Sequence, residues 1–162
     1  MPEPFETDQA RPCPPWRPGD GARPAVLGGI AAELLGADRG ALVGELVALL
    51  RSEEQAYRRL DVGELTAEVA AHLEATLIRL AGERAPTGTG DPASAAAGRR
   101  RAEQGIPLAV ALRGLRAAAS VVWRELAERA ASRPAAEAAA FLQQSTGLWA
   151  VFDEQSRALA AG

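Results

Sequence analysis

The sequence predicts an all-α fold: a single-domain bundle of about six helices, for which a globin-like arrangement is one available form. Three observations carry this. Of 162 residues, 48% are hydrophobic but only 4% aromatic, so the core must be assembled from Ala, Leu and Val, which suits close-packed helices better than a sheet sandwich. Apolar residues recur at helical steps of three and four through most of the chain. Stop and start signals separate those runs, most clearly at Gly105-Ile106-Pro107, where a residue able to take positive φ precedes one whose missing N–H is no loss in a first helical turn.

Residues 1–24 hold seven of the eleven prolines and too few apolar side chains to offset the entropy of ordering them, so they read as a disordered Pro-rich tail. Trp16 within it can dock into a groove or stay solvated. Cys13 is the only cysteine, which excludes an intramolecular disulfide and a cysteine-cluster zinc site.

The helical domain occupies residues 25–162. A first short helix spans Val26 to Leu35 and ends at Gly36. Asp38 is positioned to cap a second, whose stripe of Leu42, Leu46, Leu49 and Leu50 continues toward Tyr57 and Leu60. Asp61 with Glu64 has capping-box spacing and opens a third, with Leu65, Val69, His72, Leu73, Thr76, Leu77 and Leu80 on one face and Gly82 as its stop. Glu83 to Gly90 lacks periodicity and predicts an exposed loop. Asp91-Pro92 reads as cap and first-turn proline of an Ala-rich fourth helix ending near Gly105. The fifth, from Pro107 to about Ala131, carries a narrow seam of Leu108, Leu112, Leu115, Ala119, Val122 and Leu126. After the turn Ser132-Arg133-Pro134, a sixth presents Phe141, Leu142, Leu148, Trp149 and Phe152.

Small residues beside the fifth helix's seam, Ala111, Gly114, Ala117 and Ala118, allow close approach of another backbone. That neighbour is either a helix of the same chain or a dimer mate. Leu112, Gly114, Leu115, Ala118, Val122 and Trp123 are therefore the candidate interface.

Composition and motifs narrow the chemistry. The 18 basic residues are all Arg against 21 acidic ones, a net charge of −3, which disfavours direct nucleic-acid binding. Arg99-Arg100-Arg101 at a helix end complements the macrodipole without a ligand. No apolar run approaches the roughly 20 residues of a membrane span, and the acidic start Met1 to Asp8 lacks the hydrophobic segment of a signal peptide, so a soluble cytoplasmic protein is expected. His72, the only histidine, reads as a core or boundary residue satisfied by backbone or water; the sharper alternative makes it the axial ligand of a haem. With one histidine, no Ser/His/Asp arrangement is expected; Ser120 and Ser145 read as helix residues bonded to the preceding turn. Glu68, Glu74, Glu125 and Glu128 have the spacing of a solvated face. Gly88-Thr89-Gly90 lacks the features of a phosphate loop. The expectation is a protein without catalytic residues, cofactor or metal site.

The run Gly98-Arg99-Arg100-Arg101-Ala102-Glu103-Gln104-Gly105-Ile106-Pro107-Leu108, followed by Leu112-Arg113, Arg116 and Val122-Trp123, resembles the RsbRD-type N-terminal domain. Ala56-Tyr57-Arg58-Arg59-Leu60 and Leu148-Trp149 through Phe152-Asp153 extend the similarity over roughly residues 26 to 160. The resemblance implies a helical sensory or regulatory module, of the kind placed before PucR-like helix-turn-helix regulators of actinomycete type or within stressosome co-antagonists. It implies control of an output by conformation or dimerisation. Neither output appears before Gly162, so the expectation is a fragment of a longer regulator or a module whose partner carries the output. The functional expectation is a non-enzymatic regulatory domain acting as a homodimer or on a partner protein or output domain, in transcriptional regulation. The alternatives are a haem or small-molecule sensor centred on the inner faces of the third and fifth helices, and a direct DNA-binding regulator.

Overall fold

A computed structural model describes residues 26–36, 39–82 and 91–162. The tail with Cys13 and Trp16, the cap expected at Asp38 and the loop expected from Glu83 to Gly90 lie outside those residues. The described chain is helical throughout, as α1 (Val26–Gly36), α2 (Arg39–Glu53), α3 (Gln55–Arg58), α4 (Val62–Leu80), α5 (Pro92–Glu103), α6 (Leu108–Ala131) and α7 (Ala135–Ala161). It is an all-α bundle. Among the described residues, no helix is long and apolar enough to cross a membrane.

The predicted boundary signals act as their chemistry requires. Asp61 accepts the Glu64 N–H at 2.9 Å to cap α4, and Asp91 caps α5 with Pro92 in its first turn. Gly105 adopts φ 69°. Its N–H bonds the Ala102 carbonyl at 3.0 Å while the Ile106 N–H reaches Arg101 at 2.8 Å, the paired bonds of a Schellman ending, with Ile106 buried beyond it. Pro107 sits one place earlier than expected, at the N-cap of α6 rather than inside its first turn.

The second predicted helix is two. α2 stops at Glu53 with neither glycine nor proline to signal it, because the Arg58 guanidinium reaches back to its last carbonyls, donating to Arg51 O at 2.6 Å and Ser52 O at 2.8 Å. Those bonds satisfy acceptors that a helix end leaves orphaned. The short α3 then turns Tyr57 into the core.

One main apolar core joins α1, α2, α4, α6 and α7, with Ile30, Leu34, Leu46, Leu65, Leu77, Leu126, Phe141 and Leu148 essentially inaccessible. A smaller cluster of Ala97, Ala111 and Leu159 lies between α5, α6 and α7. The stripes of α2 and α4 match expectation, and those of α6 and α7 match in the main, with Leu115, Val122, Leu126, Phe141, Leu148 and Phe152 buried. Leu108, Leu142 and Trp149 are exposed instead of buried, and Ala111, Gly114, Val121 and Ala130 line the inner face of α6. Alanine and glycine contribute little to an apolar stripe, so Ala111 and Gly114 stood outside the predicted seam.

α5 and α7 pack unusually tightly. A Cβ on Gly98 would stand 2.1 Å from the Leu159 carbonyl oxygen, and one on Gly162 would stand 2.0 Å from that of Ala95. Only glycine permits this approach, because the obstruction is backbone and cannot rotate away.

Candidate functional site

Where α2, α3, α4, α5, α6 and α7 converge, the packing leaves a cavity of about 80 Å³. The small residues of α6 create it. Ala111, Gly114 and Ala118 follow one another at helical spacing along the inner face, and opposite them stand Leu46 and Leu50 of α2, Val69 and Leu73 of α4, and Leu159 of α7. Gly114 also lets Tyr57 in: a Cβ there would come within 2.9 Å of the Tyr57 hydroxyl and of the Leu50 side chain.

The candidate interface residues divide by burial within the chain. Gly114, Leu115 and Val122 are buried by helices of the same chain, while Leu112, Ala118 and Trp123 are half-buried. Trp123 stacks on Phe141 with ring centres 5.3 Å apart and approaches the exposed Trp149 at 6.2 Å.

Two polar groups border the cavity. The first is the Arg101 guanidinium, buried and 5.0 Å above the Tyr57 ring. It pairs with Glu68 at 3.0 Å and donates to Gln104 at 2.7 Å, while Arg100 also reaches Glu68 at 3.4 Å. Burial pushes the Tyr57 hydroxyl pKa up, against the opposing pull of Arg101. Neither residue matches its expected role: Arg101 is more than a helix-end charge, and the Glu68 side chain, 14% exposed, does not lie on a solvated face. A surface groove of about 440 Å³ lies on the other side of this pair, bordered also by Leu60, Glu64 and Gln104. Glu68 and Arg101 thus line both the groove and the cavity.

The second group is His72, on the cavity wall between α4 and the start of α5. Its Nδ1 lies 3.5 Å from Ser94 Oγ, and its buried Nε2 has no hydrogen-bond partner. Nearby, Gln155 of α7 donates to Thr76 at 2.6 Å, and its own Oε1 is likewise without a partner. Burial pushes the His72 pKa down, with the Asp91 carboxylate opposing. For Asp91 itself, burial pushes upward but is outweighed by the side-chain and backbone hydrogen bonds from Ser94 and by His72, so its pKa is lowered.

The fold therefore brings Ser94, His72 and Asp91 together, a grouping unforeseen in the sequence. It is not wired for nucleophilic catalysis. Ser94 is fully buried and donates to Asp91 Oδ2 at 2.9 Å rather than to the imidazole, so the carboxylate serves the serine and the helix cap instead of orienting a base. Ser120 and Ser145 bond carbonyls of their own preceding turns, as expected. Among the described residues, no cluster of three His, Cys, Asp or Glu is placed to hold a metal.

The space beside His72 is small. Pockets for drug-sized ligands run to roughly 300–1,000 Å³, several times the 80 Å³ beside this imidazole. The missed residues, Tyr57, Glu68, Ser94, Arg101 and Gln155, had one usable signal: Ser94, Ala97 and Arg101 repeat at helical steps and so share a face.

No match is found among curated proteins, nor among solved structures. The family model described as the RsbT co-antagonist protein rsbRD N-terminal domain matches residues 40–162, most of the chain, and the chain belongs to that family.

Proposed function

We propose that the chain is a non-enzymatic regulatory module that controls a partner protein or output domain by changing how the end of α7 packs on α5. The family supports the regulatory role. The single observation that carries the mechanism is the contact at Gly98, where the α5 and α7 backbones meet without room for one carbon atom. Ala97, beside that contact, and Leu159, within it, also line the cavity, so a change in the cavity's contents bears directly on the last turns of α7. Such a contact favours two discrete packings over continuous deformation. In this reading the protein carrying the module is cytoplasmic and acts as a co-antagonist of RsbT, or in a related transcriptional pathway.

Self-association is proposed at a different place from the inner α6 seam. Leu142 and Trp149 are seven residues apart on α7 and 63% and 52% exposed, beside the half-buried Trp123. A two-fold contact between copies would cover them.

The test is made in the intact protein in its host cell, comparing Gly98→Ala with Gly44→Ala, where an added Cβ meets nothing. Gly98→Ala is expected to alter the transcripts under the regulator's control per unit of folded protein, and Gly44→Ala to leave them as in wild type. If both variants behave as wild type, the α5–α7 contact is not the output.

A further inference from the structure

The cavity has the composition of a ligand site rather than of a packing defect. Its walls are mainly apolar side chains, and on them stands His72, whose buried Nε2 makes no well-formed hydrogen bond, with only the Gln155 side chain acting on the imidazole from outside the lining. Buried polar groups are almost always satisfied, and an orphan facing an apolar space needs an explanation. The charges at the border are already balanced: Arg101 is held by Glu68, Gln104 and the Tyr57 ring, leaving nothing to compensate an added ion. Size sets a further limit. An apolar cavity of roughly 150 Å³ accepts benzene, so the 80 Å³ here accepts about three to five non-hydrogen atoms by the same scaling.

We propose that this cavity binds a small, uncharged, mainly apolar molecule carrying one hydrogen-bonding group, which passes between Glu68 and Arg101 and places that group on His72 Nε2. Glu68 and Arg101 mark this way in because they line both the cavity and the surface groove. Gln104 already holds Arg101 from the groove side, and Glu64 on the same groove offers it an alternative to Glu68. The molecule is the input to the α7 relay, and only that consequence rests on the function proposed above.

The experiment titrates the full chain with 1-propanol, 1-hexanol and xenon, following backbone amides by heteronuclear NMR. Saturable shifts at Ala97 and Gly114 are expected with 1-propanol and xenon but not with 1-hexanol, which is too long. His72→Leu, which keeps an apolar wall, is expected to weaken 1-propanol by about tenfold, the value of one lost hydrogen bond, and to leave xenon within about twofold. Ala118→Leu should abolish both. If neither probe saturates in the wild-type protein, the cavity holds water only and the proposal fails. Loss of both probes in His72→Leu, or of neither, removes the hydrogen-bonding role. If Ala118→Leu does not fold, the wild-type chain-length cut-off decides the site. Saturable binding that leaves Ala158 to Gly162 unmoved establishes the site and removes the relay, so the two readings fail separately.

Discussion

Three adjacent arginines, Arg99 to Arg101, have three different environments. Arg99 is exposed, Arg100 is half-exposed against Glu68, and Arg101 is buried over Tyr57. Breaking a buried pair leaves an uncompensated charge, so Arg101→Leu is expected to cost about 3 kcal/mol, read from denaturant midpoints, while Arg99→Ala changes stability little. A triplet of identical residues gives no hint of this. The helical phase relative to Ala97 does, because position 101 falls on the same face and 99 does not. His72 supplies a pH dependence with a definite sign. Its folded pKa lies below the ordinary value of 6.5, so the unfolded chain binds the proton more readily, and stability is lost as pH falls below about 6.5 through the folded value. Asp91, with its own pKa lowered, stays ionised across that window and adds its loss only at more acid pH. The melting temperature of the wild-type protein should therefore fall between pH 7 and pH 5. In His72→Leu the fall should be clearly smaller; an identical slope would assign the effect to other groups.

Most helix ends announce themselves through Asp, Pro or Gly, and the Asp61, Asp91, Gly82 and Gly105 positions were legible for that reason. The end of α2 was not, because its stop is a tertiary bond from Arg58 and a guanidinium can reach carbonyls from many sequence distances. The faces of α6 and α7 were legible in the main, but Leu108, Leu142 and Trp149 lie outside while Ala111 and Gly114 pack inward. A glycine's role is equally silent in sequence. Gly44 and Gly98 are both helical, but only Gly98 has a backbone oxygen where its Cβ would go. Gly44→Ala should stabilise the protein by about 0.5–1 kcal/mol through helix propensity. Gly98→Ala should destabilise it by about 3 kcal/mol, at the upper end for overpacking because backbone must move. Thermal or chemical unfolding of the two variants checks the opposite signs.

At the scale of the whole molecule, the fold class followed from composition and period, and the family from one motif that coincides with the α5–α6 junction. The sequence located a possible small-molecule site between α4 and α6, but not the part of the lining that α2, α5 and α7 supply, which is a property of distant segments together. The cavity's position gives the domain a route from an interior space to the end of the last helix. If the exposed α7 face joins two copies, Trp149→Glu should shift sedimentation from dimer to monomer without loss of helicity; a wild-type protein that is monomeric at all concentrations rejects the contact. The central claim is that cavity and α7 terminus are one mechanical unit. The most direct measurement is hydrogen exchange on Ala118→Leu, which fills the cavity from the α6 side. Faster exchange is expected in Ala93 to Gly98 and Ala158 to Gly162, with the α1 and α2 core protected as in wild type. Changes confined to α6 and its immediate neighbours, with both of those segments unaltered, would contradict it.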